Sequence, residues 1–182
     1  IYGMLGNDAR TRVGDFVRLA WRVVNEKLSI KDIHLAISII GEEFPIDDAV
    51  EALRNTNCYD DWEAELRYLL YRYEEHLAET QQLNFKNEQW QKIWMVSPVD
   101  SIEHIWANSR APNKHRNRLG NLVLLPPKLN SRLQADDPAS KAHSYRQTGL
   151  LIACEVADTI ESDGWNGKLI EAREQAILDW VS

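Results

Sequence analysis

An acid, an imidazole and two amides stand within one stretch of the sequence, residues 100–131. Glu103 and His104 are neighbours near the end of one short apolar run. Asn121 lies in a second run, LGNLVLL, and Asn130 follows a Pro-Pro pair that can start a helix. We predict the order strand, loop, strand, helix, which can gather these side chains around one divalent metal ion and one phosphate group.

Two of these side chains suit the cleavage of a phosphodiester, which requires an activated nucleophile and neutralisation of the charge that develops on the leaving oxygen. His104 suits the role of base, because an unperturbed imidazole pKa of about 6.5 leaves it largely neutral at pH 7. Asn121 is predicted to brace the loop after His104 through hydrogen bonds. His104 and Asn121 are therefore the predicted catalytic residues.

A divalent metal is predicted beside them, either Mg²⁺ or Mn²⁺. A hard cation prefers oxygen ligands, and the Glu103 carboxylate and the Asn130 amide oxygen supply two, with water and phosphate completing the shell. Neighbouring side chains on a regular strand point to opposite faces. Glu103 and His104 can therefore share a site only if the strand ends or twists there. The break in the apolar pattern at residues 106–108 is consistent with such an end.

The charge of the chain is segregated. The net charge is −7, which by itself argues against a nucleic-acid partner. Residues 108–146, however, hold eight basic and two acidic side chains, a charge of +6, so the remaining residues together carry −13. A solvated charged loop would look the same. The side chains predicted to hold DNA phosphates are Lys114, His115, Arg116, Arg118, Lys128, Arg132 and Lys141.

The elements before residue 95 read as helices. A three- and four-residue apolar repeat predicts a helix from about Asp8 to Lys27. Ser29 followed by Asp32 resembles a capping signal for a second helix that ends near Gly41. A third helix is predicted to start near Pro45.

The clearest helical pattern follows Asp60 and Asp61. Its apolar stripe consists of Leu66, Leu69, Leu70, Tyr73 and Leu77. The acidic residues predicted to face water are Glu63, Glu65, Glu74, Glu75 and Glu79. After Pro138 we predict one long helix to about Ile160, and a final helix from about Trp165 to Val181.

Composition limits the class of protein. The chain has 182 residues and is 44% apolar, enough for a real core. Two cysteines far apart indicate neither a disulfide framework nor a cysteine zinc site, which favours a cytoplasmic setting. No apolar run approaches the roughly 20 residues that cross a bilayer, so no membrane partner is predicted. The chain starts at Ile1 rather than Met, which suggests a part of a longer protein.

The order Glu-His, Gly-Asn in an apolar strand, and a later Asn resembles HNH-type nucleases, also called His-Me finger or ββα-metal nucleases. The segments IEHI and RLGNLVLLPPKLNSRL, with Lys141, Tyr145, Trp165, Ile170 and Arg173 downstream, resemble the C-terminal nuclease domain of GmrSD-like, modification-dependent restriction enzymes. The resemblance covers roughly residues 60–182. It is specific in residues 100–131.

The resemblance implies a metal-dependent DNA endonuclease or nickase of phage defence, following a ParB-like nucleotidase domain expected N-terminal to this chain. By analogy His104 is the general base, Glu103 and Asn130 hold the metal, and Asn121 positions the histidine loop. Two departures are Trp106-Ala107, where many members have a proline, and Asn130, where many have histidine.

The expected fold is mainly α (α+β), a helical bundle that carries a ββα-metal motif. Residues 1–95 are expected to form a helical scaffold or docking region. Residues 96–182 are expected to form the HNH-like nuclease region with flanking C-terminal helices. The alternative function is a catalytically inactive DNA-binding or regulatory interaction domain.

Overall fold

One small antiparallel sheet stands among helices in the computed structural model of the chain, which describes residues 12–41, 46–55, 57–84 and 88–182. The mainly helical α+β class is thereby confirmed. The chain divides into two compact units, residues 1–52 together with Ser182, and Leu53–Val181.

The first unit contains helices α1 (Val13–Glu26) and α2 (Ile30–Gly41) and most of α3 (Ile46–Asn55). The predicted capping signal before α2 is confirmed. The Ser29 backbone nitrogen donates to Asp32 Oδ2 at 3.1 Å, and the Asp32 backbone nitrogen donates to Ser29 Oγ at 3.2 Å. Each side chain thus satisfies a backbone donor that the first helical turn leaves open. The predicted start at Asp8 lies outside the described residues, and so does Pro45 itself. The third helix predicted to start near Pro45 is confirmed as α3.

Helices before the sheet in the second unit are α4 (Cys58–Asp61), α5 (Glu63–Thr80), α6 (Glu88–Trp94) and α7 (Pro98–Ser101). Helices after the first strand are α8 (Asn113–Arg116), α9 (Pro127–Leu133), α10 (Pro138–Gln147), α11 (Leu151–Asp163) and α12 (Gly167–Val181). A 3₁₀ turn covers Leu119–Asn121.

The predicted order of strand, loop, strand and helix in residues 100–131 is confirmed. Strand β1 (Ile102–His104) pairs antiparallel with β2 (Leu122–Leu124), with Glu103 opposite Val123, and α9 follows. Pro127 starts α9, where the fixed φ angle of proline suits the first helical turn. Its missing backbone N–H costs nothing there, because that group has no partner within a helix. β1 is only three residues long, because Pro98 starts the one-turn helix α7 directly before it.

Both strands are buried along their whole length. Helices α5 and α11 pack against β2, α7 packs against β1, and α9 packs against α7. These four helices therefore share one core with the sheet. The compact division lies at Leu53, whereas the sequence-based boundary lies near residue 96. The scaffold or docking role of residues 1–95 stays a prediction.

The single long helix predicted after Pro138 is wrong, since two helices, α10 and α11, cover this segment. Gly149 interrupts it with a φ of 67°, a left-handed conformation that glycine adopts without steric cost. Thr148 closes the turn by accepting a hydrogen bond from the Leu150 backbone nitrogen at 3.1 Å. The break creates a new helix N-terminus that needs acceptors for its backbone N–H groups.

Glu74 supplies those acceptors, so its predicted position facing water is also wrong. Its carboxylate accepts from the backbone nitrogens of Leu151 at 2.8 Å and Ile152 at 2.6 Å. Only 4% of Glu74 is exposed. Burial raises the pKa of this carboxyl, and the two backbone hydrogen bonds oppose the rise. Helix α5 is thereby joined to the start of α11.

Replacing Glu74 by alanine is expected to lower the free energy of unfolding by about 1–3 kcal/mol, because two buried N–H groups lose their acceptor. Urea unfolding followed by circular dichroism measures this change. Glu79→Ala is the matched control, since Glu79 is an exposed acid on the same helix. Equal stability of the two variants would contradict a capping role for Glu74.

Helix α12 lies directly on the 3₁₀ turn that precedes β2. A Cβ atom on Gly120 would lie 1.9 Å from the backbone oxygen of Ile170, so only glycine fits there. Arg173 Nη1 donates to the backbone oxygens of Gly120 at 3.0 Å and Leu122 at 2.9 Å. Arg173 is buried and fixes the start of β2 to α12.

Across the described ranges, no helix combines the length and the apolar character that crossing a membrane requires.

Candidate functional site

His104 ends β1 with its imidazole largely enclosed, 7% of the residue being exposed. Its Nε2 lies 2.8 Å from Oδ1 of Asn117, and the Tyr59 ring lies against the imidazole at a centroid distance of 4.4 Å. Burial lowers the pKa of His104, and the hydrogen bond to Asn117 opposes this. The lowered pKa keeps the ring neutral near pH 7, the state in which it can accept a proton.

Asn117 also contacts an acid from a distant part of the chain. Its Nδ2 donates to Asp60 Oδ2 at 3.2 Å, and Asp60 lies on α4. Sequence reasoning missed both residues. Asn117 stands unmarked in a polar loop, and Asp60 precedes it by 57 positions, so no local pattern links them to His104.

Asn121 is fully buried and holds the chain that leaves β1. Its Oδ1 accepts from the Trp106 backbone nitrogen at 2.8 Å, and its Nδ2 donates to the backbone oxygens of Trp106 at 3.0 Å and Arg116 at 2.9 Å. The indole nitrogen of Trp165 donates to the same Oδ1 at 3.3 Å. One amide therefore fixes both ends of the loop between the strands.

The Trp106-Ala107 departure from the family pattern falls where Asn121 acts. The Ile105 backbone nitrogen also donates to the Asn121 backbone oxygen at 2.9 Å. Ala107 then accepts from the backbone nitrogens of Arg110 and Ala111 and starts a tight turn. In this chain, hydrogen bonds from Asn121 and this turn set the loop geometry, with no proline at positions 106 and 107.

Glu103 is 5% exposed and contacts Lys141, which is fully buried. Lys141 Nζ lies 2.5 Å from Glu103 Oε1 and donates to the His104 backbone oxygen at 2.8 Å. Burial raises the pKa of Glu103, whereas the adjacent Lys141 ammonium opposes the rise. The pair joins α10 to β1 and places one positive charge beside the predicted metal ligand.

Asn130, on α9, donates from Nδ2 to the backbone oxygens of Asp100 at 2.9 Å and Ile102 at 3.2 Å. These bonds fasten α9 to the strand that carries Glu103 and His104. Because Nδ2 faces the two carbonyls, Oδ1 is the side-chain atom left to accept a hydrogen bond or to hold a cation.

The predicted Mg²⁺ ligands fit such an ion in the kind of donor, since a carboxylate and an amide oxygen are hard ligands. They supply only part of a coordination shell. Among the residues that the structure describes, no three or more His, Cys, Asp or Glu side chains are grouped as a metal site. Lys141 already balances the charge of Glu103. A cation at Glu103 and Asn130 would therefore need water and substrate phosphate as further ligands.

The predicted phosphate-binding side chains fall into two groups. Lys114, Lys128 and Arg132 are exposed, and Arg116 is partly exposed. His115, by contrast, is buried, with Nδ1 3.8 Å from Glu171 Oε1.

Arg118 and Lys141 belong to the second group, because each is already paired with an acid. Arg118 Nε lies 2.8 Å from Glu174 Oε2, in a two-point ion pair. Lys141 would have to leave Glu103 to reach a DNA phosphate. The roles predicted for all seven side chains stay predictions.

Ion pairs reduce the cationic surface that the sequence window suggests. Arg110 lies 2.6 Å from Asp137, and Arg146 lies 2.5 Å from both Asp158 and Glu161. Arg118 and Lys141 are paired as above. Most of these acids lie outside residues 108–146, so a count within the window could not include them.

Lys128 and Arg132 stand at a cavity of about 630 Å³ beside α9. Its apolar wall includes Pro126, Pro127 and Leu129, and Gln147 adds a polar group. The two cations therefore project from the helix that carries Asn130, on a concave part of the surface.

A comparison with protein families gives one match, to "GmrSD restriction endonucleases, C-terminal domain", over residues 44–180. Comparisons with curated proteins and with solved structures gave no match. The matched region covers more than half of the chain and contains the sheet, the loop between its strands and helix α9. The chain therefore belongs to the family of GmrSD restriction endonucleases, as their C-terminal domain.

Proposed function

We propose that this domain is a metal-dependent DNA endonuclease or nickase of the HNH type, with His104 as the general base. One observation carries the proposal. In a chain of a restriction endonuclease family, a buried imidazole with a lowered pKa stands at the end of β1, where Asn117 holds one of its ring nitrogens.

In the proposed reaction, the neutral imidazole of His104 takes a proton from the water that attacks the phosphorus. Asn121 holds the loop that follows His104 in place, and Asn130 fastens α9 to β1. Lys128 and Arg132 bind phosphates on either side of the scissile bond. Mg²⁺ or Mn²⁺, when bound by Glu103 and Asn130, supplies positive charge for the leaving oxygen.

The proposed biological role is modification-dependent restriction of phage DNA in the cytoplasm. Family membership supports DNA as the substrate. The proposed partner is a ParB-like nucleotidase domain, N-terminal to this chain, which senses modified DNA and controls cutting.

The purified domain is expected to relax supercoiled plasmid in Mg²⁺ or Mn²⁺. This cleavage is expected to stop when EDTA is added. A metal is expected to be needed because the Lys141 ammonium is already paired with Glu103 and so is not available to neutralise the charge on the leaving oxygen. Gel electrophoresis of nicked and linear products measures the rate. Cleavage that continues at the same rate in EDTA would refute metal dependence.

A second candidate function is a catalytically inactive DNA-binding or regulatory module. The Glu103–Lys141 ion pair favours it, because the ammonium stands where a cation would otherwise be attracted. This candidate requires salt-sensitive DNA binding without cleavage in any metal. The plasmid assay over several metals separates the two functions.

Replacing Lys114 by alanine is expected to weaken binding to any DNA sequence and to reduce the salt slope of the binding constant by about 1, because an exposed lysine releases one counterion per phosphate contact. Fluorescence anisotropy over a salt series measures the slope. Arg110→Ala is the matched control from the same loop, since Asp137 already balances Arg110. Equal slopes for the two variants would place Lys114 outside the DNA contact.

A further inference from the structure

A hydrogen-bonded chain of three side chains runs from the imidazole of His104 through Asn117 to Asp60 at the surface. Nε2 of His104 lies 2.8 Å from Asn117 Oδ1, and Asn117 Nδ2 lies 3.2 Å from Asp60 Oδ2. We propose that Asn117 and Asp60 are positioning residues, which hold His104 as the tautomer protonated on Nε2. The inference rests on the proposed role of His104 as general base and adds to it which ring nitrogen takes the proton.

Asp60 determines the orientation of the Asn117 amide. The two ends of an amide are nearly the same size, so its orientation is decided by its hydrogen-bond partners. A carboxylate oxygen accepts hydrogen bonds, and Oδ2 of Asp60, which is exposed on α4, is the atom that Asn117 Nδ2 contacts. The amide nitrogen of Asn117 must therefore face Asp60, which turns Oδ1 toward His104.

Asn117 in turn determines the tautomer of His104. An amide oxygen cannot donate, so the nitrogen that faces it must carry the proton. With the proton on Nε2, the lone pair of a neutral imidazole lies on Nδ1. The structure thus assigns Nδ1 as the atom that accepts the proton of the attacking water.

Two further contacts fix the positions of Asp60 and of the His104 ring. Asn57 caps α4 and contacts Asp60 through both ends of its side-chain amide. Its Nδ2 donates to the Asp60 carboxylate, and its Oδ1 accepts from the Asp60 backbone nitrogen at 3.3 Å. The Tyr59 ring lies against the imidazole at 4.4 Å and restricts its rotation. Helix α4, which has no other part in the proposed chemistry, is therefore the element that orients the base.

Long-range proton–nitrogen NMR of the domain with labelled histidine tests the assignment without any substrate. A protonated Nε2 and an unprotonated Nδ1 are expected for His104 in the wild type at neutral pH. In Asp60→Ala and in Asn117→Leu, the two nitrogen signals are expected to move toward an average of both tautomers. Asp61→Ala is the matched control, an exposed neighbour on the same helix. A wild type protonated on Nδ1 would overturn the proposal.

Kinetics supply the second readout. Asn117→Leu and Asp60→Ala are expected to lower kcat for plasmid nicking by about 10- to 100-fold, as loss of an orienting partner does elsewhere, with KM for DNA unchanged. The double variant Asn117→Asp, Asp60→Asn exchanges the amide and the carboxylate but still offers His104 an acceptor. It is expected to recover most of kcat. If neither single variant changes kcat, or if both raise only KM, the positioning role is excluded.

The two measurements also separate this inference from the proposed function. If the wild type cuts no DNA in any metal, the nuclease proposal fails, and the NMR spectra still decide whether Asn117 sets the tautomer. If the wild type cuts DNA and the tautomer does not depend on Asp60 and Asn117, the nuclease proposal stands and this inference fails.

Discussion

Replacing His104 by alanine is expected to lower kcat for plasmid cleavage by about 10²- to 10⁴-fold, the range that a positioned general base contributes. The reason is specific to this site. The imidazole is buried, its pKa is lowered by that burial, and its orientation is fixed by Asn117. DNA affinity is expected to stay the same, since the exposed cations that would hold phosphates are untouched.

His143→Ala is the matched control for this experiment. His143 is an exposed histidine of α10 whose Nε2 lies 2.9 Å from Gln147 Nε2. Thermal unfolding of both variants checks that the fold is retained. If His104→Ala cuts at the wild-type rate, or if both variants lose activity equally, His104 is not the base.

The second large effect concerns stability. Replacing Lys141 by methionine is expected to lower the free energy of unfolding by about 3–5 kcal/mol, because a buried Glu103 carboxylate loses its counter-charge. The backbone oxygen of His104 loses a donor as well. Urea unfolding measures the loss. The salt slope of DNA binding is expected to be unchanged, since Lys141 has no exposed surface.

The double variant Glu103→Gln, Lys141→Met tests the cause of that loss. It removes both charges, and replacing a buried ion pair by neutral groups of similar size is often close to neutral in stability. Most of the lost stability is therefore expected to return. If Lys141→Met instead unfolds like the wild type but binds DNA with a smaller salt slope, Lys141 leaves Glu103 to contact phosphate, as the sequence alone suggested.

These results would assign separate roles to Glu103 and His104, the neighbouring acid and imidazole of β1. His104 faces Asn117 and Tyr59, whereas Glu103 faces Lys141. The alternation of side chains along a strand explains this separation. The cation proposed at Glu103 then depends on how readily Lys141 gives up its contact, which the two Lys141 variants also address through metal titration of the folded protein.

Local patterns in the sequence were sufficient for the elements around the site. Two short apolar runs, a polar loop and a Pro-Pro pair predicted strand, loop, strand and helix, and each is present. The Ser29–Asp32 cap was predicted for the same reason, because both partners lie within one helical turn. Family membership followed from the same stretch, where the order and spacing of a few residue types are specific.

The roles of Glu74 and Lys141 could not be predicted from local patterns, because their partners lie far away in the sequence. Glu74 looked like one acid among several on a water-facing stripe, and only the break at Gly149 gives it two buried backbone donors to cap. Lys141 looked like part of a basic surface, and only the packing of α10 against β1 gives it Glu103.

The sequence by itself therefore determined the elements of residues 100–131, the family and the residue types of the candidate site, since these follow from short-range periodicity and spacing. The tertiary structure alone decided which charged side chains form ion pairs within the protein and which are exposed at the surface. It also decided that Asp60, on an earlier helix, stands behind Asn117 and His104. The physical reason is that hydrogen bonds and ion pairs act over a few ångströms in space, whatever the distance along the chain.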